Sequence, residues 1–336
     1  MATEIQIAAV GDLLMKPSVI NSAKVIGENK YSFDPMFREV APFFRAADLT
    51  IGNLETTLAG REDIYERRHP KTRFPLLNCP DELAPALKKA GFHVLTTANN
   101  HCMDRGVEGL KRTLRILDEN GIAHTGTFTS YPKSKEYLII NVKGIRVGIL
   151  AYTKGTNYIP IPKDQPWLVN LINQQKMKED LKQLKPKVDL MIVCLHFGRE
   201  YHQIPSKEQK NLVRWLFHHG VDVILGAHPH VLQPMVLTSQ HQFAIFSLGN
   251  FISTILMNNP LTLNGVILQL KVKKEASGRA RVTKVSYIPT WVYRPKFVIL
   301  PIPQTLAKPN LDIPLEEQEK MKKMAEHTKF ILKRKI

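Results

Sequence analysis

Residues 96–106 read TTANNHCMDRG. Asn99, Asn100, His101 and Asp104 thus follow directly on the apolar run FHVL, a large polar load beside a predicted core strand. A polar loop with a helix cap would explain one such stretch, but the pattern recurs. Gly11 and Asp12 follow EIQIAAV; Gly52, Asn53 and Glu55 follow or close DLTI; His196, Gly198 and Glu200 follow LMIVCL. His228 and His230 follow VILGA, and Gly249 and Asn250 follow AIFSL. Ligand sites in open α/β sheets gather at the carboxyl ends of strands, so six strand ends carrying such side chains point to one site. Oxygen and nitrogen donors without thiolates suit Mn²⁺, Fe²⁺ or Zn²⁺ in paired sites better than a structural zinc. Two metals need a bridging carboxylate, which Glu55 or Asp12 can supply, and such a pair lowers the pKa of water and clamps attacking and leaving oxygens. His228 and His230 flank Pro229. On an extended segment they point in different directions, to separate metals or to one metal and the substrate.

The elements that must position these residues follow from periodicity. EIQIAAV, DLTIG and FHVLTTA are predicted strands; DPMFREVAPFFRAA is a predicted helix despite Pro42. PDELAPALKKAG has a Pro-Asp start and Gly91 as its stop, and GVEGLKRTLRILDENG stops at Gly121. EYLIINVKGIRVGILAYT reads as a hairpin turning at Lys143-Gly144. VDLMIVCL and VDVILGA read as buried strands around the helix SKEQKNLVRWLFHHG. Beyond residue 240 strand-like stretches dominate, with a turn signal at Ala276-Ser277-Gly278. Alternating β and α followed by a strand-rich part predicts an α/β fold of two packed sheets flanked by helices. The Pro-rich run at 158–167 is a candidate lid loop.

The blocks AVGDLLM, ADLTIGNLETTL, NCPDELAPALKKAGFHVLTTANNHCMDRGVEGLKRTL, HFGREY, GAHPHVLQP and FSLGNF carry a family resemblance. Over residues 5–255 the chain resembles the CapA family of capsule (poly-γ-glutamate) synthesis proteins, within the calcineurin-like metallophosphoesterase superfamily. The resemblance implies a metallophosphoesterase-like two-sheet sandwich, α/β/β/α, over residues 1–310, with 311–336 as a basic C-terminal helical tail. It implies metal ligands at Asp12, Glu55 (the bridging acid), Asn100, His196, His228 and His230. His101 stands at the general acid, with Asp104 able to orient its ring. Lys16, Asn78, Asn99, Glu200 and Asn250 are expected to touch substrate, although Asn78 equally suits a turn, and Glu200 with Tyr201 could instead hold His196. The chain departs from the superfamily at Asp12-Leu13-Leu14, where a second imidazole is usual, and at Glu55, where Asp is usual. The CapA branch shares both changes, and they leave one metal position short of a ligand. Lys16 also sits one place before the slot, here Pro17, where the branch usually has a basic residue.

The chain has 336 residues, 43% of them hydrophobic and 23% charged, ordinary globular composition. Its 47 Lys and Arg against 30 Asp and Glu give a net charge of +17, which favours anionic partners. Lys16, Arg73, Arg105 and Arg199 lie in or near the motif loops and predict a basic rim. The tail KMKKMAEHTKFILKRKI reads as a solvated basic helix end or a docking element. Cys79, Cys102 and Cys194 are scattered and lack any CxxC, against a disulfide framework. Cys102 beside His101 lacks a matching base for a nucleophile, and Cys194 reads as core. His93, His124, His218, His219 and His241 read as structural or solvated. Nothing resembles a signal peptide, a membrane span, a Walker loop or a nucleic-acid module. The expectation is a cytoplasmic hydrolase or transferase that uses one or two divalent ions on an anionic substrate, a γ-glutamyl polymer or a phosphoester. The alternative is a non-catalytic accessory protein that binds poly-γ-glutamate during assembly or export. Charge alone raises a nucleic-acid phosphoesterase.

Overall fold

Period-two burial organises the computed structural model, which describes residues 2–276, 278–294, 296–308 and 312–335. Among these the strands are β1 (Thr3–Leu13), β2 (Leu49–Leu54), β3 (Glu66–Arg68), β4 (Pro75–Leu77), β5 (Val94–Thr96), β6 (Ala123–Thr125), β7 (Leu138–Val142) and β8 (Ile145–Thr153). They continue as β9 (Leu190–His196), β10 (Val223–Ala227), β11 (Leu232–Leu237), β12 (Phe243–Leu248), β13 (Asn250–Ile252), β14 (Asn264–Lys274), β15 (Ala280–Tyr293) and β16 (Val298–Pro301). One large sheet has the order β16-β15-β14-β1-β2-β5-β6, with β13 also on β1; a second has the order β11-β12-β10-β9-β8-β7, and β3 and β4 form a separate antiparallel pair. Strands β1, β2, β5 and β6 run parallel, as do β8, β9, β10 and β12.

Alternate residues of β1 serve two cores. Ile5, Ile7 and Ala9 meet Ile149, Ile192, Leu225 and Ile245 of the second sheet. Ala8 and Val10 face outward under Phe37, Phe44, Leu83 and Leu87 from helices on the first sheet. The outer face of the second sheet lies under Gln174–Leu184 and Lys207–His218, through Met177, Leu181, Leu212 and Leu216. The four layers are therefore helix, sheet, sheet and helix, as expected. Each fully buried aliphatic side chain contributes about 1.5–3 kcal/mol, so the two sheet ends that carry the polar residues rest on a rigid base.

Several local signals are realised. Gly91 (φ 114°) ends Leu83–Ala90, and Gly121 (φ 62°) follows Gly106–Glu119. Lys143 (φ 50°) and Gly144 (φ 87°) make the β7–β8 turn, and Ser206 with Gln209 forms a capping box at the start of Lys207–His218. The single helix expected over 34–47 is instead two, Asp34–Phe37 and Ala41–Arg45. Pro42 lacks the N–H that would bond back to residue 38, so the helix restarts around it. The 311–336 segment carries helix Leu315–Leu332, which docks rather than floats: Met321 joins the outer core, and Ile331 and Leu332 enter the inter-sheet core. The Ala276-Ser277-Gly278 turn includes Ser277, and the 310/311 boundary falls in 309–311; these residues lie outside the described ones. No helix among the described residues is long and apolar enough to cross a membrane.

Candidate metal centre

The site forms where the parallel strands of both sheets end. Gly11 allows the closest approach: a Cβ there would lie 1.8 Å from Gly249 O. Glycine lets β1 run against Gly249, and Asp12 N donates to that same carbonyl (3.0 Å), which sets Asp12 beside Asn250. Asn53 comes from β2 and Glu55 from directly after it, Asn100 and His101 from the turn after β5, His196 from the end of β9, and His228 and His230 from the turn after β10.

All six expected ligands converge. His196 Nε2 lies 2.6 Å from Asn100 Oδ1, 3.1 Å from His228 Nδ1 and 3.4 Å from Glu55 Oε1. His230 Nδ1 lies 3.3 Å from Asp12 Oδ2 and 3.9 Å from Glu55 Oε2. Two overlapping groups, Glu55 with His228 and His230, and Asp12 with Glu55 and His196, each bring their ligand atoms within 4.8 Å of one another. Glu55 is common to both, as a bridging acid must be. The segment around Pro229 is not extended as expected: His228 (φ 97°) and His230 (φ 59°) are both left-handed. That places their ring centroids 6.0 Å apart and both beside Glu55. A non-glycine residue held there is strained by the order of 1–3 kcal/mol, a feature that clusters at functional sites.

The electrostatics fit a cation. Glu55 is fully buried, and neither carboxylate oxygen accepts a hydrogen bond. Burial, then the charges of Asp12 and Glu200, push its carboxyl well above the usual glutamate range. Burial, then His228, holds His196 well below the ordinary imidazole range; burial, then His230, lowers His228 to about 3. Both imidazoles are therefore neutral at neutral pH and can offer a lone pair. Burial lowers His230 too, but Asp12 and Glu200 outweigh it and raise the net value. A buried carboxyl without a hydrogen-bond partner, facing neutral imidazoles, is costly alone and is what a divalent ion would satisfy by favouring its ionised form.

Beside this cluster, His101 Nδ1 lies 2.6 Å from Asp104 Oδ2, which also accepts from Leu77 N (2.5 Å). Asp104 thus holds the ring and leaves Nε2 as its free nitrogen. Asn53 belongs to the site although only its place at a strand end signalled it. Its Nδ2 donates to Asp12 Oδ1 (2.8 Å) and lies 3.3 Å from His196 Nδ1.

Residues 6–254 match the family described as bacterial capsule synthesis protein PGA_cap. The chain belongs to that family. It is 33% identical over 248 residues to the capsule biosynthesis protein CapA of Bacillus anthracis, a match covering 72% of this chain and 58% of that protein. It is 29% identical over 288 residues to the PGA biosynthesis protein CapA of Bacillus subtilis, covering 82% and 70%. The chain therefore spans little more than half the length of the first of these relatives. Among solved structures it resembles a putative 5′-nucleotidase from Staphylococcus aureus in complex with α-ketoglutarate (TM-score 0.55, 15% identity, 96% of this chain and 58% of that one). It also resembles the calcineurin-like phosphoesterase YfkN of Bacillus subtilis (TM-score 0.52, 14% identity, 98% of each chain). At such identities these likenesses establish the shared calcineurin-like phosphoesterase fold and nothing finer.

For this PGA_cap member the remaining expectations divide. A cleft of about 600 Å³ opens over Asn100, His196 and His228, lined also by Lys154, Tyr158, Phe74 and Glu200. Glu200 lines this cleft, and Glu200 and Tyr201 neighbour His230 rather than hold His196: Oε1 of Glu200 lies 4.0 Å from His230 Nε2, and the Tyr201 ring centroid 5.9 Å from that of His230. Three asparagines expected at substrate are each buried with the amide engaged. Asn78 accepts from Ala59 N and donates to Gly60 O (both 2.8 Å); Asn99 donates to Leu54 O (2.7 Å) and accepts from His101 N (3.1 Å). Asn250 faces His230 Nδ1 with Oδ1 (3.0 Å) and donates to Thr262 O (2.9 Å), so it orients the His230 ring. Lys16 pairs with Glu66 (2.5 Å) and Arg105 with Glu62 (2.7 Å), so two of the four expected rim cations are neutralised. Leu14 is buried and apolar, so Asp12 is the one candidate ligand of the first motif. His93 accepts from Thr50 N (3.0 Å), a structural role. Burial pushes the Cys102 thiol up to about 12, against a nucleophile, and does the same to Cys194.

Proposed function

We propose that this chain is a metal-dependent hydrolase or transferase of capsule poly-γ-glutamate biosynthesis, acting on an anionic γ-glutamyl polymer or a phosphoester. The observation that carries this reading is the Glu55 carboxylate, buried, without a hydrogen-bond partner, and ringed by Asp12, His196, His228 and His230. Asp12, Glu55, Asn100, His196, His228 and His230 would hold one or two divalent ions of the Mn²⁺, Fe²⁺ or Zn²⁺ type. Such an ion supplies Lewis acidity toward a phosphoryl or carbonyl oxygen. The protein's own part is positioning and proton transfer. Lys154 at the cleft draws in the anion. His101, steered by Asp104 at Nδ1, holds at Nε2 the proton that a leaving oxygen or amine requires. Asn53 and Asn250 fix the orientations of Asp12 and His230.

The test is metal analysis of the purified chain together with a hydrolysis screen of phosphoesters and γ-glutamyl peptides, with and without chelator. Stoichiometric divalent metal and turnover abolished by chelation are expected. Salt-sensitive binding of poly-γ-glutamate without cleavage or transfer in Mn²⁺, Fe²⁺ or Zn²⁺ would refute the enzyme and leave the accessory reading.

A further inference from the structure

One ligand in the cluster is ambiguous by chemistry. An asparagine presents a carbonyl oxygen or an amide nitrogen to the same point in space, and only the oxygen binds a cation. Asp and Glu face no such choice, and the imidazoles here are fixed by burial and by neighbouring amides. Asn100 therefore needs a partner that tells its two ends apart.

Asn100 Oδ1 points into the cluster, 2.6 Å from His196 Nε2, while its Nδ2 donates to Asn157 Oδ1 (3.2 Å). Asn157 sits 57 residues away in the loop after β8, a stretch that no motif covers. We infer that Asn157 is a positioning residue: its side-chain carbonyl accepts from Asn100 Nδ2 and so commits Asn100 Oδ1 to the metal. With Asn157 as it stands, flipping Asn100 would set its carbonyl against the carbonyl of Asn157 and its N–H groups against the cation, losing attraction at both ends; Asn157 Nδ2 is buried without a hydrogen-bond partner, so the bond from Asn100 is the one that engages the Asn157 amide among the described residues.

Backbone geometry supports a built role. Asn157 (φ 49°) and Tyr158 (φ 64°) are consecutive left-handed residues. Asparagine tolerates that conformation and tyrosine rarely adopts it, so the loop is held in a strained shape that delivers Asn157 to Asn100. The loop is anchored on both sides: Thr156 Oγ1 donates to Ile159 O (2.6 Å), and Ile159 and Ile161 pack on the small core of Cys102, Met103 and Leu110. The same loop lines the cleft through Lys154, Thr156 and Tyr158. Metal and substrate thereby share one element, and whatever orders the loop for one favours the other.

This inference rests on the metal reading above, and its test reads metal affinity rather than turnover. Mn²⁺ binding to the full chain is titrated calorimetrically for wild type, Asn157→Gly and Asn157→Asp. Glycine keeps the left-handed backbone and removes the acceptor; aspartate keeps an acceptor. Removing a partner that orients a metal ligand costs 10–100-fold in affinity, so the glycine variant should bind about 10–100-fold more weakly and the aspartate variant within about 3-fold of wild type. Metal-free thermal midpoints should agree among the three. Equal affinity in wild type and Asn157→Gly overturns the inference, as does equal loss in both variants or a metal-free glycine variant already melting well below wild type. Wild-type Mn²⁺ binding without any turnover would sink the hydrolase and leave Asn157 in place. A wild-type chain that takes up no metal overturns both.

Discussion

Glu55→Gln should act in opposite directions with and without metal. The metal-free wild type holds a carboxyl that is fully buried and accepts no hydrogen bond. Once pH rises above the raised folded-state pKa and the carboxyl ionises, the uncompensated buried charge costs about 3–5 kcal/mol, whereas a glutamine amide left imperfectly paired costs about 1–3 kcal/mol. At that alkaline end the substitution should stabilise the metal-free chain by roughly 2 kcal/mol. An unfolding entropy of about 2.1 cal/mol/K per residue gives roughly 1.4 °C per kcal/mol in a chain this long, hence a rise of about 3 °C. The gap should also depend on pH with a definite sign. Burial raises the folded-state pKa of Glu55 above its unfolded value. The stability linked to its proton is then fully present below the unfolded pKa of about 4.3 and is lost as pH rises through the folded one. The advantage of glutamine must widen from pH 5 to pH 8. With Mn²⁺ at about 100 times its dissociation constant, wild type gains about 2.7 kcal/mol, or roughly 4 °C, and the variant, lacking the shared carboxylate, gains far less. Differential scanning calorimetry of chelated and loaded protein at both pH values decides it. Equal metal stabilisation of both proteins, or a metal-free variant less stable than wild type, refutes the assignment of Glu55 as the shared ligand.

Three further perturbations separate roles within the site and the scaffold. His101→Ala should cut turnover by roughly 10²–10⁴-fold with metal content unchanged by elemental analysis; loss of metal along with activity would make His101 a ligand. Asn78→Ala should lower stability by about 1–3 kcal/mol, because it leaves Ala59 N and Gly60 O without their partner, and should leave KM alone. A raised KM at unchanged melting temperature would return Asn78 to the substrate. Asp189 accepts from Arg146 and pairs with Lys274, and the Arg146 hydrogen bond leads in holding its carboxyl well below the usual range. That stability is present above the unfolded aspartate pKa of about 3.9 and is lost as pH falls toward the folded one, so the difference from Asp189→Asn, about 1 kcal/mol with Arg146 half-exposed, should shrink in urea titrations below pH 4. A difference that grows on acidification would contradict the pairing.

What was legible in the sequence is what is local. Alternation in EIQIAAV fixes which residues of β1 meet the other sheet, and apolar VILGA and LMIVCL declare strands buried on both faces. Polar side chains at six strand ends located the site, since a parallel sheet brings those ends together whatever the loops do. The element that failed, one helix over 34–47, failed at Pro42, a local signal outweighed by the apolar spacing around it. The remaining misses are non-local. Lys16 and Arg105 read as free cations because their partners, Glu66 and Glu62, sit in the excursion between β2 and β4, where no periodicity announces a fold. Asn157 lay in a Pro-rich loop, and its link to Asn100 exists only once that loop is laid over the turn after β5.

Asn78, Asn99 and Asn250 carry the sharpest version of this distinction. All three stand in motif blocks, and a motif residue invites a substrate role. In the fold their amides satisfy backbone groups and the His230 imidazole. Buried turns that aim Asp12, Asn100 and His230 at one point have N–H and C=O groups to pair, and asparagine, with one acceptor and two donors on a short stem, pairs both kinds at once. The motif blocks therefore mix side chains that would touch a metal with side chains that hold the first set still. Residue type distinguishes them better than position does: the acids and imidazoles gather on Glu55, and of the asparagines Asn100 is the one whose carbonyl reaches His196. On the proposed metal reading, that single amide, hydrogen-bonded to Asn157, would decide whether the cluster presents a complete oxygen–nitrogen set to a cation or a mismatched one.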